Sequence, residues 1–168
     1  MDKKKCLNKD LITQHLRIPP FDVQPTLELD EVWSFVQQKV NKKWIWLAYC
    51  RETRQIVGRA IGGRGEEGCR ALWESIPEYY QHSFCYTDFW EVYAKVLDSE
   101  QHKACGKEEG QTNHQERWNN TLRQRLGRFV RKSLSFSKDE TMHQNGLDLF
   151  IAHYNEEKGA KFDECMWG

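Results

Sequence analysis

Three carboxylates in this chain are placed so that they can share divalent cations. Asp30 lies inside the apolar run Leu27-Glu28-Leu29-Asp30-Glu31-Val32-Trp33. Asp88 closes a second run, Phe84-Cys85-Tyr86-Thr87-Asp88, and Glu116 opens a polar stretch with helical spacing. Aspartate is depleted in strands, so an Asp between strand residues carries a cost that something must offset. Hard divalent cations favour clustered oxygen ligands. Two such ions about 3.5–4 Å apart stabilise both the attacking and the leaving oxygen of a phosphodiester. Carboxylates bridge metals and repel one another until a cation neutralises them, so the expected cofactor is a pair of Mg²⁺ or Mn²⁺ ions. Taken singly, each residue has an ordinary reading. Asp30 fits a solvated strand face shared with Glu28. Asp88-x-x-Glu91 and Asn113-x-x-Glu116 both fit capping patterns at helix starts. The combination of a mid-strand, a strand-end and a helical carboxylate is what points to one site.

Basic residues follow the third carboxylate. Arg123 lies almost two helical turns after Glu116 and projects near the same face, where it can hold a phosphate. Asn119 and Asn120 border that face. The formal net charge of zero, taken alone, argues against nucleic-acid binding, which needs Lys and Arg against phosphates. The distribution argues the other way. From Gln115 to Lys138 the chain carries Arg117, Arg123, Arg125, Arg128, Arg131, Lys132 and Lys138, with Glu116 the lone acid. The expected DNA contacts are Arg117, Asn120, Arg123, Arg128, Arg131, Lys132 and Lys138. A solvated helix face is the alternative.

Convergence of these residues requires a particular set of elements. Strand-like runs occupy 26–36, 43–50 and 53–61, with connections short enough for an antiparallel meander. Gly62-Gly63-Arg64-Gly65 ends the third. A helix over 66–81, interrupted at Pro77, leads to a strand at 83–87 and a helix at 89–97. Residues 99–110 read as loop with a short strand around 103–105. A long helix over 113–130 has the apolar stripe Trp118, Leu122, Leu126, Phe129 and Val130. A loop at 133–137 precedes a last helix at 141–154. Residues 1–25 read as a polar lead-in with a short helix over 9–17, and 158–168 as a polar, frayed tail. The fold class is α/β: a mixed sheet with helices on both faces, of which the ribonuclease-H-like arrangement is one form.

Other function classes are disfavoured. The longest apolar run, Trp44–Cys50, is far short of the roughly 20 residues a bilayer demands. No apolar segment follows Met1–Lys5, so a soluble, cytoplasmic protein with no membrane partner is expected. None of the six cysteines forms a C-x-x-C pair; Cys50 and Cys85 read as buried thiols, and His102-x-x-Cys105 lacks the second pair a zinc site needs. Gly63-x-Gly65-x-x-Gly68 outlines a dinucleotide-binding turn, but Glu66 and Glu67 stand where a pyrophosphate would bind. Most of the seven tryptophans read as core. Trp90 and Trp118, each two residues from a carboxylate, are the candidates for stacking on unpaired bases.

The stretches Leu29-Asp30-Glu31-Val32-Trp33, Tyr86–Tyr93 and above all Gln115–Lys138, ending Arg131-Lys132-Ser133-Leu134-Ser135-Phe136-Ser137-Lys138, carry a specific resemblance, to which His153-Tyr154-Asn155 adds. The chain resembles the DDE transposases of the insertion-sequence-one family over about residues 26–157. The resemblance implies a ribonuclease-H-like catalytic domain with Asp30, Asp88 and Glu116 as both catalytic triad and metal ligands, and Arg123 as the basic residue two turns on. It implies hydrolysis at the element's ends to free a 3′ hydroxyl, which then attacks target DNA. The partners would be element ends, target DNA and further copies of the chain or a full-length transposase. Phe89 stands where family members often have Gly. The family's zinc-binding and helix-turn-helix region is not legible in Met1–Pro25, so the catalytic portion alone is expected. Two alternatives stay open: a fragment that regulates full-length transposase, and a nuclease of the same fold that does not join strands.

Overall fold

The computed structural model describes residues 11–129 and 136–167. The first three strands, β1 (Thr26–Phe35), β2 (Lys42–Cys50) and β3 (Gln55–Gly62), form the expected antiparallel meander. Helices α1 (Glu66–Ser75) and α2 (Glu78–Gln81) lead to β4 (Phe84–Thr87), α3 (Glu91–Val96) and β5 (His102–Ala104). Helices α4 (Asn113–Arg125) and α5 (Glu140–Trp167) complete the chain. The strand order is β3-β2-β1-β4-β5, with β4 parallel to β1 and β5 parallel to β4.

Both faces of the sheet are covered, and strand periodicity explains how. Successive side chains point to opposite faces. Leu27 and Leu29 of β1 join Trp46, Ala48 and Cys50 of β2 in a core with Cys69 and Leu72 of α1 and Val92 and Tyr93 of α3. Val32, Ile45, Leu47, Tyr49 and Ile56 point the other way. They pack on Trp118 and Leu122 of α4 and on Leu147, Ile151 and Tyr154 of α5. β1 therefore has no solvated face: Glu28 is wholly buried, and α4 lies over it.

The differences from expectation have local causes. Pro77 splits the first helix by forcing Ile76 to an extended ψ of 130°, as the residue before a proline usually is. The long helix stops at Arg125, ahead of Gly127, and a 3₁₀ turn carries the chain to Phe129. Val130 lies outside the described residues. Of the short helix expected over 9–17, residues 11–13 are helical, 14–17 are turn and irregular chain, and 9–10 lie outside the described residues; the lead-in is nonetheless packed rather than loose. Ile12 is buried, the Arg17 backbone N–H donates to Gln55 Oε1 at 2.8 Å, and the Tyr80 hydroxyl donates to the Arg17 carbonyl.

The largest difference is α5, which runs on through the supposed tail to Trp167. Arg17 forks onto Asp163 at 2.7–2.9 Å and Lys161 pairs with Glu157 one turn earlier. That terminal part meets the lead-in through the Arg17–Asp163 pair, and its sequence has no apolar stripe to reveal it. No helix among the described residues is long and apolar enough to cross a membrane. The four cysteines Cys50, Cys69, Cys85 and Cys105 are buried free thiols.

Asn155 and Asp148 fasten α5 to the edge strand. Asn155 Oδ1 accepts the Ile56 N–H at 2.9 Å, and its amide donates to the Ile56 carbonyl at 2.8 Å and the Ile12 carbonyl at 3.2 Å. An edge strand leaves such groups unpaired, and one buried amide satisfies them. Arg59 of β3 forks onto the buried Asp148 through Nε and Nη2, both at 2.6 Å. Asn155→Ala is expected to lower unfolding free energy by about 2 kcal/mol or more, since it strands buried backbone groups. Urea denaturation checks this; a change below about 0.5 kcal/mol would mean the amide is dispensable.

Candidate metal centre and nucleic-acid face

Parallel pairing brings the first two carboxylates together. β1 and β4 are in register at Thr26↔Phe84, Leu27↔Cys85 and Glu28↔Tyr86. Two residues further along both segments stand Asp30 and Asp88. Each contributes a carboxylate oxygen to a group whose members all lie within 4.8 Å of one another, and Glu31 supplies the third. β4 has ended at Thr87, so no strand flanks β1 on that side beyond this point. Asp30 and Glu31, which start toward opposite faces, can therefore both reach Asp88.

Each carboxylate has a distinct environment. Asp30 Oδ2 accepts a hydrogen bond from Asn119 Nδ2 of α4 at 2.6 Å. Burial, with the neighbouring Glu31 charge as the second cause, pushes its pKa up from 3.8 to about 7. Glu31 is also raised, chiefly by burial, against the opposing pull of Arg64 and Tyr93. Arg64 donates to Glu31 Oε1 through Nε at 3.0 Å and Nη2 at 2.8 Å, and the Tyr93 hydroxyl donates to Oε2 at 2.8 Å. Asp88 Oδ1 accepts the Trp90 N–H at 3.0 Å. That bond turns the chain into α3 in place of the Asp88-x-x-Glu91 box.

Helix α4 is fixed over this cluster by Glu28. Its Oε2 accepts the Gln115 N–H at 2.9 Å, while Oε1 lies 2.8 Å from His114 Nδ1 and accepts from Arg51 Nε at 2.6 Å. Arg51 in turn donates to the carbonyl of Gln111 and stacks on Tyr86. A buried carboxylate from β1 thus does for the start of α4 what a capping side chain would do. The Asn113-x-x-Glu116 box is not used, and Glu116 is left out of it. Gln115 Nε2 donates to Asn119 Oδ1 at 2.9 Å, which aims the Asn119 amide at Asp30.

The expected site residues fall into three groups. Asp30 and Asp88 are brought together. Glu116 is half-buried one turn before Asn119, but it is not among the carboxylates that meet within 4.8 Å. Of the basic face, Arg117, Asn120 and Lys138 are exposed, and Arg123 and Arg128 are half-buried. Arg131 and Lys132 lie outside the described residues. The end of that motif is anchored: the Gln37 N–H donates to the Ser137 carbonyl at 2.8 Å, and Phe136 packs on Phe35.

Some functional candidates were not visible in the sequence. Glu31 and Arg64 were missed because adjacent strand residues ordinarily face apart, and because Arg64 sits in a glycine-rich turn. The signal that could have found Glu31 is the doubled acid Asp30-Glu31 in an apolar run. Asn119 proves to be the residue that touches Asp30, while Asn120 points away into solvent. Trp118 is buried in the core and offers no face for a base, whereas Trp90 is partly exposed. The dinucleotide-like turn has a packing explanation at one glycine: a Cβ on Gly68 would collide with the Trp46 indole and the Gly63 carbonyl, which are hydrogen-bonded to each other. His102 Nε2 is spent on Thr87 at 2.7 Å, and the only metal-competent group among the described residues is the carboxylate cluster.

Known proteins are similar to this sequence. The profile of the IS1 transposase family matches residues 25–158. The chain is 34% identical to the insertion element iso-IS1n protein InsB of Shigella dysenteriae over 124 residues, covering 74% of this chain and 92% of that protein. It is 33% identical to the insertion element IS1 4 protein InsB of Escherichia coli strain K12 over 150 residues, covering 89% of this chain and 84% of that one. The insertion element IS1 protein InsB of Shigella flexneri is 35% identical over 127 residues. The chain belongs to the IS1 transposase family and functions in the transposition of an insertion sequence.

Proposed function

We propose that this chain is a DDE-type catalytic domain of ribonuclease-H-like fold. In this reading it cuts DNA strands at element ends and joins them to target DNA, using two Mg²⁺ or Mn²⁺ ions held by Asp30, Asp88 and Glu116. The observation that carries the reading is the meeting of Asp30 and Asp88 where β1 and β4 run parallel at the centre of the sheet. The sheet order of three antiparallel strands followed by two parallel ones supports the fold assignment. Glu116 supports it by placement. Its carboxylate makes no hydrogen bond or ion pair among the described residues, and Asn119, one turn on, already touches Asp30.

The donor set fits hard cations. Three carboxylates within 4.8 Å, one of them with its pKa lifted to about 7, are stable together only with a proton or a cation between them. Bound ions would lower the pKa of an attacking water or hydroxyl and neutralise the leaving oxygen. The chain's own residues supply the rest. Asn119 holds one Asp30 oxygen, the turn at Trp90 holds one Asp88 oxygen, and Arg64 with Tyr93 occupies Glu31. Arg117, Asn120, Arg123, Arg128 and Lys138, with Arg131 and Lys132, would line the path of the DNA backbone. Self-association or pairing with a full-length transposase would bring two element ends together.

Asp30→Asn, Asp88→Asn and Glu116→Gln should each reduce cleavage of an element-end substrate by about 10³-fold or more, with the fold intact by circular dichroism. The assay uses the chain with a supplied DNA-binding partner and scores cutting and joining separately. Cutting without joining would leave a nuclease. Neither activity in the unaltered chain would leave the regulatory reading, and normal activity in one variant would remove that residue from the site.

Asp30 also gives a pH prediction. Because its folded pKa is raised, the stability it contributes is fully present below its ordinary value of 3.8 and is lost as pH rises through about 7. In chelator, the melting temperature should fall as pH rises from about 4 to about 8. Asp30→Asn should flatten that slope and excess Mg²⁺ should reduce it. An unchanged slope in Asp30→Asn would show that the carboxyl is not held in this environment.

A further inference from the structure

Arg64 does more beside the carboxylate cluster than a counter-charge for Glu31 requires. Its Nε and Nη2 fork onto one Glu31 oxygen. The guanidinium lies between two indoles, 4.4 Å from the centroids of both Trp44 and Trp90, and the Trp90 indole N–H donates to the Arg64 carbonyl at 3.3 Å. The plane of the guanidinium is thereby fixed, yet the side chain remains 42% exposed, and Nη1 has no hydrogen bond among the described residues.

The turn that presents it adds an independent observation. Gly62, Gly63 and Gly65 surround Arg64, and a Cβ at any of them would meet nothing within 4 Å. None has a positive φ. Neither internal packing nor backbone geometry calls for glycine at these three positions, in contrast to Gly68. Bare backbone around one oriented arginine is what the close passage of an external polyanionic chain needs. The nearby Glu66 is answered by Arg70 at 2.6 Å.

We propose that Arg64 binds a DNA phosphate next to the one being cut, with Nη1 as donor, and that the glycine turn leaves room for the strand to pass. The proposal rests on the reading of Asp30 and Asp88 as the cutting site. Glu31, Trp44 and Trp90 hold the guanidinium ready, so little side-chain freedom is lost on binding.

The test measures binding of a short DNA duplex in Mg²⁺ by fluorescence anisotropy across a salt series. Arg64→Met, which keeps packing between the indoles, should reduce the slope of log affinity against log salt by about one, and Arg64→Lys should retain it. Gly63→Leu should weaken binding about tenfold or more, with an unchanged melting temperature. An unchanged slope in folded Arg64→Met, or unchanged affinity in Gly63→Leu, overturns the proposal. If Arg64→Met melts early, Gly63→Leu decides, because it leaves the Arg64–Glu31 pair in place. Mg²⁺ titration of the unaltered chain separates the two ideas. A slope change without metal binding keeps Arg64 as a phosphate contact and removes the cutting site. Metal binding without a slope change does the reverse.

Discussion

Three carboxylates within 4.8 Å of one another at the middle of a sheet repel, and the surrounding structure is arranged around that repulsion. One charge is answered within the protein: Glu31 is forked by Arg64 and bonded by Tyr93. Among the described residues, no cation of the chain pairs with the other two. Asp30 has one neutral amide partner and a pKa lifted to about 7 by burial and the neighbouring Glu31 charge, so it holds a proton more readily than an ordinary aspartate. Asp88 makes its bond to a backbone N–H of its own turn. On the proposed reading, a cation from outside would relieve this repulsion.

The rest of the fold supplies registration. Parallel pairing of β4 with β1 sets Asp88 against Asp30, and the early end of β4 opens the edge where Glu31 joins them. Glu28, two residues before Asp30, ties β1 to the start of α4 and to Arg51 after β2. Glu28 is therefore the hinge-pin between sheet and helix. The same strand face carries the Glu28 anchor and Asp30, so the position of α4, and of Glu116 on it, is set by the strand that bears Asp30. Burying such a charge is costly unless it is fully bonded, and Glu28 is bonded on both oxygens.

Most strands and helices were legible because their apolar patterns are local: the meander, the Pro77 break and the stripe of α4 all followed from spacing. Asp30 and Asp88 were legible as acids out of place in strand runs. The remainder depended on long-range geometry. That Glu28 replaces the expected capping box, that Asn119 rather than Asn120 meets Asp30, and that Trp118 is core could not be read from i, i+3 spacing alone. Each depends on how α4 is rotated against β1. The far half of α5 was hidden for the opposite reason: it meets the lead-in through the Arg17–Asp163 pair, carries the intrahelical pair Lys161–Glu157, and shows no apolar period. Glu31 and Arg64 emerged only when a turn after β3 was folded back onto β1.

The central claim is that Asp30 and Asp88 form one cation site, and calorimetric titration of Mg²⁺ or Mn²⁺ into the purified chain, beside Asp88→Ala, tests it most directly. The account predicts binding to the unaltered chain and its loss in the variant. Equal binding to both proteins, or binding to neither even with DNA present, would contradict it.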